Sequence, residues 1–410
     1  MTNNRPKIRF DGFTSNWEQR KLKELADFSK GNGYTKNDLT DEGKPIILYG
    51  RLYTNYETVI ESVNTFTIEK ENSVLSEGNE VIVPASGETS EDISRASVVS
   101  KSGVILGGDL NIVKPKNEID STFLALTISN GKQQKELSKR AQGKSVVHLH
   151  NSDLKEVNLL FPEKEEQTKI GGFFKKLDDT IALYQCELEK FVELKKAMLK
   201  KMFPQNGKSI PEIRFKGFTG DWKEHKLGEH SEIKTGGTPK TGISEYWFPK
   251  EIPWMSSGEV NKKRLSNTDN QISKKGLENS SARWIKEKSI LIALAGQGKT
   301  RGTVAINEIP LTTNQSIAAI EVDSSLDSEF TFQNLESKYE ELRMISSGDG
   351  TRGGLNKQLI ADFNIVAPSV EEQSKIGLFF KQFDITISLQ QEQLNKLKQI
   401  KKSMLQRMFS

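Results

Sequence analysis

The stretch "FPEKEEQTKIGGFFKKLDDTIAL", residues 161–183, returns as "APSVEEQSKIGLFFKQFDITISL", residues 367–389. The offset is 206, and Glu165, Glu166, Gln167, Lys169, Ile170, Gly171, Phe173, Phe174, Lys175, Asp178, Thr180 and Ile181 all recur in register. A second match opens each half: "IRFDGFTSNWEQRKL" begins at Ile8 and "IRFKGFTGDWKEHKL" at Ile213, 205 residues later. The halves close on "KKAMLKKMF" and "KKSMLQRMF". Self-similarity on this scale decides the architecture before any local reading. The chain is written twice, as A–B–A′–B′. That pattern implies a pseudo-twofold molecule with two similar sites.

The B segments read as long helices. Apolar residues fall at Ile170, Phe174, Leu177, Ile181, Tyr184, Leu188 and Phe191, followed by Lys195, Met198 and Met202. The spacing alternates four and three, which is a heptad seam. B′ keeps the register: Ile376, Phe380, Phe383, Ile387, Gln390, Leu394 and Leu397, then Lys401, Met404 and Met408. Pro162 and Pro368 precede the helices, and a Glu-Glu pair falls in each first turn, where the partial positive charge of a helix start favours it. About 40 residues at ~1.5 Å each make roughly 60 Å of helix. A single apolar stripe must be buried. The sequence predicts that the two helices pair antiparallel, because A′ brings the chain back before B′ begins. At the seam, Gln390, Lys195 and Lys401 are polar, and one such residue sets register in coiled coils. The basic residues at both helix C-termini also suit the helix dipole.

The A segments lack long helical periodicity. Short apolar runs are punctuated by Gly, Pro, Asn and Ser: "PIILYG" at 45–50, "NEVIVPASG" at 79–87, "SVVSKSGVIL" at 97–106, "EIPWMSSGEV" at 251–260, "SILIALAGQG" at 289–298 and "TVAI" at 303–306. These predict short strands with functional loops between them. A late helix is expected in each half, at 121–140 and 328–346. The fold class is therefore α+β. Residues 1–160 and 206–366 are two mixed, strand-rich domains, and 161–205 and 367–410 are two long antiparallel coiled-coil helices. Trp17 and Trp222 recur in both copies and read as packing residues.

Composition narrows the function. The 410 residues, 28% charged and 35% hydrophobic, describe an ordinary soluble protein. No apolar run approaches the ~18 residues of a membrane span, and the first residues show no secretory h-region. A single cysteine, Cys186, leaves no intrachain disulfide, which fits a reducing cytoplasm. Four histidines, His148 with His150 and His225 with His230, lack zinc-ligand spacing, so no metal site is expected. Net charge is +4, a mild lean toward an acidic partner such as nucleic acid.

One motif competes. Ala293 to Thr300, within "IALAGQGKTRGT", spells A-x-x-x-x-G-K-T, a relaxed phosphate-binding loop. Such a loop works because a helix begins at once and its N–H groups hold the phosphates. Here "RGTVAI" follows, which reads as strand. The corresponding stretch of the first copy, "VIVPASGETSEDISRASV", has no G-K-T.

The repeated signature P-x-x-x-E-Q-x-x-I…D-x-x-I resembles that of the specificity (S) subunits of type I restriction–modification systems. It stands here as Pro162, Glu166, Gln167, Ile170, Asp178 and Ile181, and again as Pro368, Glu372, Gln373, Ile376, Asp384 and Ile387. The "GGTPK…EYW…IPW" opening, Gly236 to Trp254, is also similar to the family's target-recognition domains. In the first copy "KGNGYTKND…PIILYG" replaces it, which implies a different recognition subtype. The resemblance covers essentially the whole chain. It implies two domains, each reading one block of a split DNA target, on a helical rod that sets the gap. The seam residues Ile170, Phe174, Leu177, Ile181, Leu188, Phe191, Ile376, Phe380, Phe383, Ile387, Leu394 and Leu397 would pair the helices. The rod would dock two methyltransferase (M) subunits, which bring in restriction (R) subunits. The chain itself would be non-catalytic, conferring specificity on adenine-N6 methylation and cleavage. S-adenosylmethionine, ATP and Mg would be bound by the partner chains. No N-P-P-[FY] or D-P-P-Y methylation motif is present.

Reading base edges in double-stranded DNA needs side chains with fixed donor and acceptor patterns, and phosphate contacts position them. In the first domain the candidates are Tyr49, Arg51, Ser86, Arg95, Lys144, His148 and Asn151. In the second they are Lys240, Trp254, Ser256, Ser257, Lys299, Arg301, Arg352 and Lys357. Two alternatives belong to other classes: a nucleotide-binding enzyme using Ala293–Thr300, and a coiled-coil protein scaffold.

Overall fold

The computed structural model describes residues 5–90, 92–141, 146–205, 207–296, 300–345 and 354–409. It divides the chain into two compact units, residues 1–186 with 392–410, and residues 187–391. Each unit holds one mixed domain and part of both long helices. Those helices run Lys164–Met202 and Val370–Met408, 39 residues each.

The predicted seam faces inward along both helices. Every seam position from Ile170 to Met202 and from Ile376 to Met408 is buried or half-buried, including Lys195 and Lys401. Within each unit the helix segments run antiparallel. In the first unit Asp178 pairs with Lys401, and the Phe174 and Phe409 rings lie 6.3 Å apart. In the second unit Lys195 pairs with Asp384, and Phe203 stacks on Phe380 at 5.8 Å.

The phenylalanine just past the end of each helix closes a domain core. Phe409 packs with Phe123 and Phe174, and Trp17 meets Phe123 edge-on. Phe203 does the same among Trp222, Phe330 and Phe380. Both tryptophans are core residues, 4% and 3% exposed.

Each domain is built on a five-stranded sheet of the same order. In the first unit the strands run 26–30, 110–115, 80–84, 97–99, 59–60, and in the second 231–235, 317–322, 290–293, 304–307, 264–265. The central pairings are antiparallel, and the last strand of each sheet joins in parallel. A four-stranded sheet accompanies each. A two-stranded ribbon, 18–21 with 158–161 and 223–226 with 364–367, delivers the chain into the long helix.

The single late helix expected in each half is two helices. Ser121–Ser129 and Gly131–Arg140 break at Gly131, which has φ +71°. A Cβ there would lie 1.8 Å from the Phe409 carbonyl oxygen, so the arriving helix end dictates the break. Ser328–Ser337 and Tyr339–Met344 break at Lys338. Close approach also explains the repeated glycine in the long helices. A Cβ at Gly377 would sit 2.8 Å from the Phe330 nitrogen, and one at Gly171 would sit 3.1 Å from Asp120 Oδ1.

Phe203→Ala should destabilise the protein by about 3–5 kcal/mol, the range for deleting a fully buried aromatic ring. Chemical denaturation with Phe203→Leu beside it would measure this, and an unchanged midpoint would contradict the packing described.

Candidate nucleic-acid interface

The loops that differ between the copies stand on a support that does not. Arg9 grips Glu166 with two parallel bonds, Nε to Oε1 and Nη2 to Oε2, both 2.6 Å. Arg214 grips Glu372 the same way, at 2.6 and 2.7 Å. Both carboxylates are essentially sealed from solvent. The bond to Glu372 holds the Arg214 guanidinium above its ordinary value. Next to each glutamate, a glutamine ties the helix start to the domain. Gln167 accepts from the Asp120 N–H and donates to the carbonyls of Glu118 and Pro162. Gln373 repeats this with Asp327, Ser325 and Pro368.

Two loop positions recur in each unit and carry most of the candidate residues. The first follows the strands 44–47 and 252–255. Tyr49 and Arg51 lie in this turn, as do Ser256 and Ser257 of the second copy. The second follows the strands 80–84 and 290–293, where a returning segment is caught by one backbone bond: Leu149 N–H to the Ala85 carbonyl, 3.0 Å, and Leu355 N–H to the Leu294 carbonyl, 3.1 Å. In the first copy the segment also pairs as a strand, Val147 with Gly87 and His148 with Ser86, so the bond named is the one the copies share. A short helix follows each catch, and its first residue is Asn151 in one copy and Lys357 in the other.

Individual placements differ. Tyr49 is 36% exposed beside an open cleft of about 1090 Å³, which Tyr34, Lys36, Arg51, Asn55 and Asn64 also line. Arg51 is held by Glu57 at 2.6 Å and the Ser62 carbonyl at 3.1 Å. Ser86 and His148 face each other across a strand pair, Oγ to Nδ1 at 3.2 Å, and His148 stacks on His150. Arg95 pairs with Asp92 and lies over the Tyr56 ring. Asn151 donates to the Ser29 carbonyl at 2.8 Å. Lys240 and Lys357 are exposed, and Arg301 is half-buried. Trp254 is 7% exposed, with its Nε1 on the Gly237 carbonyl and its ring against Trp247, so it packs the interior of the second domain. Ser256 takes part in a capping box with Glu259. Lys144, Lys299 and Arg352 lie outside the described residues.

Gln297, Gly298 and Lys299 of the glycine loop lie outside the described residues. On either side of them the strand 290–293 pairs antiparallel with 304–307, and Gly302 N–H returns to the Ala293 carbonyl at 2.9 Å. Among the described residues no helix directly follows the loop, so none offers an N-terminus to hold phosphates. His225 and His230 meet at 3.0 Å, and burial together with His230 pushes the His225 imidazole below its ordinary value. Among the described residues no group of three or more His, Cys, Asp or Glu could hold a metal ion.

Two exposed aromatics escaped the sequence reading: Trp284, 47% exposed on an edge strand, and Phe248, 60% exposed. Trp284 and Trp254 both stand opposite Thr312, so they share a sheet face. The basic neighbours in "ARWIKEK" were the available signal.

A buried charge network joins the second domain to the helices. Asp384 receives Lys195 at 2.6 Å, Arg264 at 2.9 Å and Gln333 at 2.7 Å. Arg264 also takes Glu329 bidentately, and Glu336 takes Lys195 and Lys263. Burial opposes each charge, but the partners win. Arg264 and Lys195 are raised, and Glu329 and Glu336 are lowered.

These features place the chain among proteins with duplicated, strand-rich domains rooted on paired helices. The family model "Type I restriction modification DNA specificity domain" matches residues 14–194 and again 219–399. The chain belongs to that family and carries its domain twice. The MjaIX specificity subunit of Methanocaldococcus jannaschii, from a type I restriction enzyme, is 31% identical over 185 residues, 44% of this chain and 42% of that protein. The EcoR124I/EcoR124II specificity subunit of Escherichia coli is 24% identical over 174 residues, 42% and 43% of the two chains. Each alignment thus spans less than half of the relative. The solved S subunit of the type I restriction-modification system from M. genitalium shares the fold over 99% of both chains, with a TM-score of 0.70 and 18% identity.

Glu329 and Glu336 have folded pKa values below their unfolded ones. They stabilise the fold above the ordinary glutamate value of about 4.3, and that contribution is lost as pH falls through the lower folded values. Glu336→Gln should therefore melt below wild type near pH ~7, with the difference shrinking toward pH ~3. A difference independent of pH would argue against the network.

Proposed function

We propose that this chain is the DNA-reading subunit of a type I restriction–modification complex. Each domain reads one block of a split target in double-stranded DNA. The long helices set the gap and dock two methyltransferase subunits, which bring in the restriction subunits. The chain is non-catalytic alone and works in the cytoplasm. S-adenosylmethionine, ATP and Mg belong to the partner chains. The observation that carries this reading is the duplication of one support under different loops: Arg9–Glu166 and Arg214–Glu372 are the same anchor, while the turns after 44–47 and 252–255 differ in every polar side chain. A scaffold has no need of matched supports under divergent reading loops.

The exposed apolar residues of the helices support two copies of one partner. Leu183 and Ile400 stand out on the first unit, 57% and 50% exposed. Leu389 and Leu194, their repeat mates, stand out on the second, 55% and 46% exposed. Apolar side chains left in water twice, at matching places, suit one docking surface used twice.

Methylome sequencing of a methylation-free host carrying this chain with its methyltransferase subunit should show methyladenine at one split motif, dependent on this chain. Exchanging residues 206–366 for another such domain should change one half-site and leave the other intact. Methylation without this chain, or without a split motif, would overturn the reading, as would ATP binding abolished by Lys299→Ala. Leu183→Glu with Leu389→Glu should leave melting nearly unchanged, since exposed sites tolerate charge, and should stop the methyltransferase subunits from co-purifying. Undiminished co-purification would remove this docking face.

A further inference from the structure

Each long helix carries one charged residue in its apolar seam, Lys195 in the first and Lys401 in the second. They are repeat mates, 206 residues apart, as are Asp178 and Asp384. The structure pairs them crosswise, Lys401 with Asp178 in the first unit and Lys195 with Asp384 in the second. Each aspartate is also gripped by its own domain, from the residue before the last strand of the five-stranded sheet in the first unit and from the first residue of that strand in the second. The Thr58 hydroxyl donates to Asp178 at 3.1 Å, and the Arg264 guanidinium donates to Asp384 at 2.9 Å.

We propose that Asp178 with Lys401, and Asp384 with Lys195, are positioning residues that lock the register of the helices and so hold the gap of the split target to one length. The inference rests on the DNA-reading function proposed above. An apolar seam discriminates weakly between registers, because one turn of sliding still places apolar against apolar. A seam lysine discriminates strongly, since sliding carries its charge away from its aspartate and, in the first unit, leaves Asp178 only the Thr58 hydroxyl. Because Thr58 and Arg264 hold one oxygen of each carboxylate and the seam lysine the other, register and domain placement are fixed by the same side chain. The domain-side grip differs between the copies while the Lys–Asp pair does not. A helix pair can therefore accept different recognition domains without changing its length.

The test uses the full chain with its methyltransferase subunit and reads the gap at every methylated site. Two variants are made in a chain carrying Asp384→Asn with Lys195→Met, so that the second pair cannot hold the register while Arg264 keeps Glu329 and Glu336 keeps Lys263. In that chain, Asp178→Leu with Lys401→Met removes the remaining pair and leaves neither partner stranded. Asp178→Lys with Lys401→Asp inverts the pair. The neutral variant should keep both half-sites, while methylation at gaps one or more base pairs off rises about fivefold or more over wild type, as expected when a register-setting polar pair is lost. The inverted variant should restore the single gap. A folded neutral variant that methylates only the wild-type gap overturns the proposal. So does a neutral variant that is silent when the inverted one is silent too. A silent neutral variant beside a restored inverted one supports it. Failure of the wild-type chain to methylate any split motif is a separate result and overturns the functional reading instead.

Discussion

The bidentate ion pair between an arginine near the start of each domain and a glutamate in the first turn of each long helix is the constraint on which the rest depends. Glu166 and Glu372 are sealed from water, and a buried carboxylate without a matched partner costs several kcal/mol. Arginine meets the requirement with two parallel donors in a fixed plane, and lysine, a point charge on a flexible stem, does not. The neighbouring glutamine then satisfies a domain N–H and two carbonyls. Together they fix where a helix leaves its domain and in which direction, and they do so identically twice. Only with that exit fixed can the far end of the other helix bring Phe203 or Phe409 into a core that lacks a ring without it.

What the sequence showed plainly was whatever depends on period and repetition. The heptad seam from Ile170 to Met202 follows from spacing alone, because helical period and burial obey the same geometry. The strands over 80–84, 290–293 and 304–307 were legible as short apolar runs between turn residues. The break at Gly131 was not legible, since its cause is the Phe409 carbonyl, 278 residues further along the chain. Contacts across that distance leave no local periodicity. The same limit applies to the loops. Trp254 reads as a reader of bases until Trp247 and Gly237 close around it, and Arg51 reads as a free cation until Glu57 takes it. Tyr49, Ser86 and His148 stayed on the surface where short loop segments would leave them, but type alone cannot distinguish an exposed serine from one that caps a turn, as Ser256 does.

The copies diverge in a consistent direction. Around Tyr49 the first domain leaves an open cleft, whereas in the second domain Trp247, Trp254, Ile252, Ile272 and Leu277 form an apolar cluster. The domain-to-helix junction diverges as well. Besides the lysine that both copies share, the first unit uses a hydroxyl on Asp178, and the second uses a guanidinium and an amide on Asp384. A hydroxyl is nearly indifferent to pH and salt, while a network of buried charges holds more tightly and fails more abruptly when one member is lost.

Under the function proposed above, selection on such a molecule acts on two problems with opposite demands. The reading loops would have to be free to change, because a new target needs new donors and acceptors. The helices would have to stay the same, because any drift would alter the distance between the blocks being read. Apolar packing alone serves the second demand poorly: it tolerates substitution and shifted registers, which is why cores lose uniqueness before they lose stability. Directional, desolvated polar contacts behave in the opposite way. They contribute little net stability when made and cost heavily when broken. It follows that the most specific bonds in this chain should lie where its structure must not vary. That is where Glu166, Gln167, Asp178 and their counterparts are found, on the first four turns of each helix and facing the domain that the helix carries.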